Sequence, residues 1–391
     1  LESRMTLASD GEVGGYPVKV PQVNVHTIGA GGGSIARVES GVLKVGPRSA
    51  GAIPGPACYG RGGLLPTSTD AAVVLGYIVA ERFAEGQIQL DKTAARSVID
   101  THIASPLGMD LLAAAFAMVR VQVADMVAGV RAVSVEKGLD PREFTLLPFG
   151  GAGGLYAGLV AEELGMSRVM VPVRPGVLSA NGMLLTNLKH TAVTTRLIAS
   201  EEMTAAALQA QFTALAEPLL EQMHREGYGP DDVAIEHSCD MRYRGQAYEV
   251  NVTLPSPLGD GIAASHLFHQ AHAIRYGRSA PKEPVEIVNF RVIVSATLPP
   301  IQTRTIDSSE VTSPPTSLHQ NCYFGDRLGA LSCPVFERDR LGANVSLQGP
   351  ALVIESGAVT VLFPDHIART DNFGNLLITV PLKRDTRNAQ H

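Results

Sequence analysis

Asn24-Val25-His26-Thr27-Ile28-Gly29-Ala30-Gly31-Gly32-Gly33-Ser34-Ile35-Ala36 is the stretch on which the reading of this chain turns. An apolar, strand-like run enters a loop with four glycines in five residues, and Ser34 closes it. A second strand-like run, Ile35 to Val38, leaves the loop. Ser40-Gly41 then reads as a tight turn before Val42-Leu43-Lys44-Val45, so a hairpin follows. Glycine is the residue of choice where backbone takes φ > 0 or must approach a ligand without a Cβ in the way. Successive backbone N–H groups in such a loop form a concavity suited to phosphate or another anion.

The region continues through Gly46-Pro47-Arg48-Ser49-Ala50-Gly51 and Pro54-Gly55-Pro56-Ala57-Cys58-Tyr59-Gly60-Arg61-Gly62-Gly63 to Thr67-Ser68-Thr69-Asp70-Ala71. This much glycine, proline and sparse polarity reads as a site rather than a linker. His26 ends the strand that enters the loop, where it can donate to a phosphoryl oxygen or ligate a metal. Asp70 can bind Mg²⁺ or simply cap the short helical run Ala71-Ala72-Val73-Val74-Leu75. Arg48 and Arg61 can offset phosphate or carboxylate charge, or pair with a local acid at the surface.

Farther along, Asp91 stands where it would cap a helix through about Ala104. Between residues 110 and 137, Leu112, Phe116, Val119, Val123, Met126, Val130 and Val133 recur at steps of three or four, one apolar helical face that Gly138 ends. Phe144–Phe149 reads as a buried strand broken by Gly150-Gly151-Ala152-Gly153-Gly154. A helix over Leu155–Leu164 and a strand over Arg168–Val173 follow. Strand, glycine loop, helix and strand make a βαβ unit, so this half is α/β. The second loop sets free N–H groups and a helix dipole where an anion or ribose can sit, although tight strand–helix packing explains such a turn equally well. Neither loop has the G-x-G-x-x-G or G-x-x-x-x-G-K-[ST] spacing, which disfavours a dehydrogenase-like dinucleotide binder.

A boundary near 190–200 divides the chain into parts 1–195 and 196–391. The second part reads as a helix over 201–226, strands over 233–254, a helix over 264–275, and a strand over 285–296. A Pro/Ser/Thr-rich connection at 298–320 and three short strands over 350–382 complete it. His266, His269 and His272 recur at i+3, but the drift of such steps and the lack of a matching acid favour a solvated helix face over a metal site. Net charge is −6, so no basic field argues for nucleic acid. Arg120 interrupts the apolar run Leu111–Val119 short of a membrane span. Four widely spaced cysteines without a CxxC motif suggest reduced thiols and a cytoplasmic protein. A nucleophilic Cys58 is disfavoured against a buried thiol.

The sequence resembles the hydantoinase A/oxoprolinase family. The matching stretches are HTIGAGGGSIA, GVLKVGPRSAGAIPGPACYGRGG, TSTDAAVVLG, VSVEKGLDPREFTLLPFGGAGGLYA, VPVRPGVLSANGMLL, MRYRGQAYEV and PVEIVNFRV. The resemblance implies an ATP-dependent enzyme that opens cyclic amides such as 5-oxoproline and hydantoins, or carboxylates ketones. It implies half of an actin-like (ribonuclease H-like) ATPase followed by a C-terminal α+β domain. ATP and Mg²⁺ are the expected cofactors and a hydantoinase B-type subunit or domain the expected partner. By the same resemblance the first loop (Gly31, Gly32, Gly33, Ser34) faces phosphate and the second (Gly150, Gly151, Ala152, Gly153, Gly154) holds adenosine. His26 and Asp70 are then the expected catalytic residues, with Asp70 on the metal.

In the family, a long N-terminal segment with two D-x-G-G-T motifs precedes the first loop, and neither motif occurs in these 391 residues. The expectation is therefore a C-terminal portion, inactive alone, that oligomerises or captures an N-terminal ATPase portion. A non-catalytic assembly subunit is the alternative from another class. Two departures from the family pattern stand out. Tyr156 occupies a position that is often His, and Glu355-Ser356-Gly357-Ala358-Val359-Thr360 replaces an acidic-Ser-Thr-Thr pattern.

Overall fold

A computed structural model describes the chain except for residues 1–6, 9, 10, 14, 15, 19–21, 24, 297–304, 307–315, 317 and 383–391. Asn24, the turn signals at Asp10 and Gly14-Gly15, and most of the 298–320 connection lie outside the described residues. The chain packs as two units, one of residues 1–181 with 303–391 and one of residues 182–302. This differs from the expected division at 195, because the final strands return to the first unit rather than extending the second.

The first unit begins with short antiparallel pairs, Leu7–Ala8 with Gln22–Val23 and Gly11–Val13 with Tyr16–Val18. The expected hairpin follows as β1 (Ser34–Glu39) and β2 (Val42–Ser49), antiparallel, with Ser40 and Gly41 both at positive φ in the turn. Helix α1 (Ser68–Val74) has Thr67 as its N-cap, and Asp70 completes a capping box by accepting from the Thr67 N–H, which is the capping role its position suggests. Asp91 caps α2 (Lys92–Ile99), accepting from the N–H groups of Thr93 and Ala94. Asp110 caps α3 (Leu111–Val133) in the same way. By length and composition α3 is apolar enough to cross a membrane. Here it buries Ala114, Ala115, Met118, Val119, Val123 and Val127 in the core of the unit, as a core helix does.

Phe144–Phe149 is not the buried strand its composition suggests. Only Leu146 makes a bridge, parallel to Val169, and Phe144, Leu147 and Phe149 are exposed. Helix α4 (Gly153–Leu164) ends on Gly165 in the left-handed region, and β3 (Arg168–Val171) follows it. Short helix α5 (Leu178–Leu185) leads out of this stretch.

In the second unit β4 (Lys189–Ala199), helix α6 (Ala205–Arg225), β5 (Val233–Tyr243), β6 (Val250–Leu254), helix α7 (Gly261–Tyr276) and β7 (Val285–Ala296) make an α+β fold. Its sheet is antiparallel throughout, in the order β6-β5-β7-β4. Phe212, Met241, Phe268 and Phe290 lie fully buried at its centre. Arg242 and Arg244 both reach Glu286 on the neighbouring strand, which gives the Arg242–Gln246 motif a structural task.

The returning segment adds β8 (Leu318–Tyr323), β9 (Ala330–Glu337), β10 (Ser346–Gln348), β11 (Ala351–Glu355), β12 (Ala358–Leu362), β13 (Ile367–Thr370) and β14 (Leu376–Thr379) to the first unit. They form two sheets, β8-β9-β11-β12 and β10-β13-β14-β3. The tail thus supplies four strands after residue 350 rather than three. Among the described strands only β9 and β11 run parallel, so the α/β half is not a parallel open sheet. Alternation along β13 and β14 buries Ala368, Leu376 and Ile378, and the continuous buried run of β11 adds Leu352, in one core with α1, α3 and α4.

Candidate functional site

The first glycine loop is braced on three sides. The Gly31 N–H donates to Ser34 Oγ at 2.9 Å, and Ser34 Oγ turns its own proton toward the Gly29 carbonyl at 3.4 Å. The Gly32 carbonyl accepts from both the N–H and the hydroxyl of Thr69, each at 2.9 Å. The Gly33 carbonyl accepts from the Ala50 N–H at 2.9 Å, and the Gly31 carbonyl from the Gln122 side-chain amide on α3 at 3.3 Å. A Cβ on Gly32 would lie 2.8 Å from Thr69 Oγ1, and one on Gly33 2.7 Å from Ser49 Oγ. Packing dictates those two glycines. Gly31 differs, because its Cβ position faces open space.

Asp70 anchors the other side of this region. It is fully buried, and its carboxylate accepts from Cys58 N–H at 2.8 Å, Ala57 N–H at 3.2 Å, Thr67 N–H at 2.8 Å and Thr67 hydroxyl at 2.7 Å. Both oxygens are engaged, so the expected metal and catalytic roles of Asp70 give way to a structural one: it ties the Gly/Pro loop to the start of α1. Among the described residues no group of three His, Cys, Asp or Glu side chains gathers as a metal site. The described residues of this chain thus offer no complete set of Mg²⁺ ligands of their own. Cys58 lies against Asp70, and burial first, then the carboxylate, push its thiol far above the ordinary range.

The second loop is shaped by what lies behind it. Gly150 takes φ of +79° and donates its N–H to the Pro175 carbonyl at 2.7 Å. A Cβ on Gly154 would meet the Val359 carbonyl at 2.7 Å and Thr360 Oγ1 at 2.8 Å, and one on Gly151 the Gly357 carbonyl at 3.0 Å. On Gly153 it would meet Pro148 at 3.3 Å. Ala152 is the N-cap of α4 and offers no side-chain cap. These glycines let α4 lie flat on β12. Tyr156, buried on α4, reaches the Ser68 carbonyl at 3.4 Å and so ties this helix to the first region. Burial pushes its phenol far above the ordinary range, so it stays protonated and donates to that carbonyl.

Two cavities flank α4. The larger, about 320 Å³, has His26 and Ile28 on one side, Met126 and Gly129 of α3 behind, and Phe149, Gly153 and Tyr156 opposite. The residues leading into the first loop and those opening the second helix thus share one mostly apolar hollow. His26 is exposed at its edge, while Gly31–Ser34 do not line it. Arg48 and Arg61 are exposed as well.

The second cavity, about 100 Å³, lies on the other side and sequence reasoning missed it. Ile78, Val79, Phe83 and Leu155 wall it, and Arg82, Glu355 and the backbone of Gly151 and Gly357 contribute its polar part. Glu355 Oε2 accepts from the Arg174 N–H at 2.9 Å, while Oε1 is buried without a partner among the described residues. Burial raises the Glu355 carboxyl above its usual range, with the Arg338 guanidinium opposing the shift. Arg338 donates through Nη2 to the Val171 and Gly374 carbonyls at 3.1 and 2.6 Å, and its Nη1 is likewise unpartnered. An acid that closes the apolar run of β11, just before a Ser-Gly turn, is the sequence signal that could have found it.

The histidines of α7 also differ from expectation. His272 is buried with Nδ1 2.7 Å from the Arg278 carbonyl, and His269 pairs with the Tyr243 hydroxyl at 3.0 Å, so only His266 faces solvent. His269 and His272 are packing contacts of the second unit, and His266 alone keeps the expected solvated face.

Comparison with known proteins gives a consistent picture. Caprolactamase subunit alpha of Pseudomonas jessenii is 35% identical over 370 residues, which is 92% of this chain and 53% of that one. 5-Oxoprolinase 1 of Arabidopsis thaliana is 28% identical over 94% of this chain and 30% of its own length. Among solved structures, an ATP-dependent caprolactamase from Pseudomonas jessenii matches with a TM-score of 0.71 at 33% identity, over 95% of this chain and 55% of that one. Nucleotide-free acetone carboxylase matches with a TM-score of 0.85 over 96% of this chain and 55% of that one, and at 23% identity it shows the fold alone. The chain therefore spans about half the length of caprolactamase subunit alpha and less of 5-oxoprolinase 1. The hydantoinase/oxoprolinase model matches residues 2–192 and the model of that family's C-terminal domain residues 198–376. With both parts matched in order along nearly the whole sequence, this chain is a partial-length member of the hydantoinase/oxoprolinase family.

Proposed function

We propose that this chain is the adenosine-binding portion of an ATP-dependent enzyme that opens a cyclic amide, built on half of an actin-like ATPase. In such a reaction ATP supplies a phosphoryl group to the amide oxygen and so turns a poor leaving group into a good one. The observation that carries the reading is the meeting of the first loop's entry strand (His26, Ile28) and the second loop's helix (Gly153, Tyr156) on one cavity within one packing unit. Nucleotide sites need such convergence, because one end of the ligand is held by each loop. Gly31, open to solvent, and the first turn of α4 are the backbone surfaces this chain offers. His26 stands at the cavity edge, where an imidazole can donate to a phosphoryl oxygen. A cyclic amide is favoured over a ketone because the 35% identical relative is a caprolactamase subunit.

The enzyme acts as an assembly in this reading. Caprolactamase subunit alpha is by name a subunit, and the matched relatives extend well beyond this chain. An N-terminal ATPase portion and a hydantoinase B-type partner complete the site. Cytoplasmic residence is part of the proposal, in keeping with four free, buried thiols. Calorimetric titration with ATP and AMP, with and without Mg²⁺, tests it. Weak binding with little preference between the two is expected, since Asp70 has no oxygen left for a metal. Restoring the N-terminal portion should bring both affinity and preference for ATP. Tight, Mg²⁺-dependent ATP binding by the chain alone would place a complete phosphate site here. No binding at all would favour an assembly subunit.

A further inference from the structure

We infer that Cys322 and Cys333 form a reversible dithiol–disulfide switch, closed by hydrogen peroxide, in the hairpin that clasps the returning segment to the turn after α1.

The pairing register sets the two thiols together. Cys322 on β8 lies opposite Leu331 on β9, and Cys333 lies opposite Gln320. The cysteines are therefore diagonal neighbours on one face of an antiparallel pair, where side chains remain within reach of each other. Both are free thiols, fully buried, and their sulfurs hydrogen-bond to each other. Cys58 and Cys239 sit apart, one against Asp70 and the other in the core of the second unit.

The single Cys322 proton has two acceptors, the Gly76 carbonyl at 3.1 Å and the Cys333 sulfur. Donation from Cys322 holds the Cys333 thiol below its ordinary range, and the same contact, with burial, pushes Cys322 above it. Cys333 is thus the sulfur that meets the oxidant as a thiolate. It attacks one peroxide oxygen, the O–O bond breaks, and the departing hydroxide takes up the Cys333 proton as water. The Cys322 sulfur then displaces the sulfenic hydroxyl, which leaves with the Cys322 proton as a second water, and the S–S bond is formed. Access comes through β8, the outer strand of its sheet, because an edge opens locally at lower cost than a centre. Diagonal positions lie farther apart than opposite ones, so closing the bridge strains the hairpin and leaves it easily reduced.

Oxidation acts on the clasp. The Tyr323 N–H donates to the Leu75 carbonyl at 2.9 Å, the Tyr77 hydroxyl to the Tyr323 carbonyl at 2.7 Å, and the Gln320 amide to the Gly76 and Ile78 carbonyls. Gly76, at φ +81°, permits this approach, since a Cβ there would collide with the Asn321 carbonyl. The disulfide withdraws the Cys322 proton from Gly76. Ile78 and Val79, just beyond, wall the smaller cavity.

The test treats the full folded chain with hydrogen peroxide, blocks remaining thiols in denaturant, digests with trypsin and reads the peptides by mass spectrometry. Cleavage after Arg327, between the two cysteines, leaves their peptides joined only where the bridge has formed. The expected product is the Cys322–Cys333 pair, lost on adding dithiothreitol and formed about tenfold faster than Cys58 or Cys239 is oxidised. Deuterium exchange over residues 75–79 and 320–323 should rise on oxidation, because one bond of the clasp has gone. Cys333→Ser should abolish both the cross-link and that rise. Cys322→Ser, which keeps a hydroxyl proton for Gly76, should do the same and guards against a folding defect in the first variant. Cysteines that stay unlinked in the folded chain, or link only once urea has unfolded it, overturn the inference. A cross-link that leaves exchange in both segments unchanged overturns the switch as well.

Discussion

Asp70 and Cys58 are joined by a hydrogen bond of 2.8 Å from backbone N–H to carboxylate, and this contact holds the Gly/Pro loop against α1. The same carboxylate takes the N–H groups of Ala57 and Thr67, so three buried backbone donors depend on one side chain. Asp70→Ala leaves them all without this acceptor in a fully buried site. The expected loss of stability is about 3–5 kcal/mol, measured as a shift of the urea midpoint at unchanged slope. Mg²⁺ should leave wild-type stability where it is. A metal ligand would behave in the opposite way, with Mg²⁺ raising the midpoint and Asp70→Ala abolishing that rise.

Gly158 tests whether the packing of α4 is as tight as its glycines indicate. An added Cβ would lie 2.6 Å from His366 Cε1 and 3.0 Å from Phe363, inside the core of the unit. His366 cannot retreat freely, because its Nε2 pairs with Glu162 at 3.0 Å. Gly158→Ala gains helix propensity of about 1 kcal/mol but forces an overpacked contact of about 1–3 kcal/mol. Net destabilisation is expected by thermal melting. A stabilised variant would mean that helix and sheet can separate at little cost.

The hairpin of β1 and β2, the cap at Asp91 and the glycine stops were legible because each rests on local chemistry: Ser40-Gly41, Asp91 and Gly165 act on their immediate neighbours. Three things were not. The return of residues 318–379 to the first unit is a long-range pairing that no local pattern encodes. Phe144–Phe149 has the composition of a buried strand but pairs only at Leu146, and Phe144, Leu147 and Phe149 stay exposed. Asp70 could be read as ligand or cap until the four donors around it were known. The candidate site divides in the same way. Both glycine loops are visible in sequence, whereas Glu355 reaches Gly151 only through folding, across some two hundred residues of intervening chain.

Glu39 gives a pH signature of the hairpin. Lys44 Nζ lies 2.7 Å and Arg37 Nε 2.5 Å from its carboxylate oxygens, and these bonds lower its pKa to about 2 from 4.5. A depressed carboxyl pKa contributes stability that is present above the unfolded value and lost as pH falls through the folded value. The hairpin should therefore loosen between about pH 4.5 and pH 2. Carbon-detected NMR titration should place the Glu39 midpoint near the lower limit. Lys44→Ala should move it upward, as should high salt, because the pair is solvent-exposed. A midpoint of 4.5 in the wild type would show that the pair is not held in solution.

The exposed apolar side chains around the larger cavity make a prediction about assembly. Phe144, Leu147 and Phe149 are 42, 41 and 54% exposed, and Val133, Val135 and Leu139 are also exposed in the segment before them. Scattered apolar residues need no explanation, but a group concentrated in one short stretch and rimming a cavity marks a surface that is normally covered. The relatives' additional length offers what would cover it, and a second copy of this chain is the substitute at hand. Sedimentation equilibrium at micromolar concentration should therefore give a mass above the 41.3 kDa of one chain. Leu147→Glu with Phe149→Glu adds two like charges to the patch and should return the mass to that of a monomer. Neither side chain is buried, so the fold should survive the change, and unchanged circular dichroism would confirm this. A monodisperse wild-type monomer would count against the patch as an interface. Association that survives the double substitution would move the interface elsewhere on the chain.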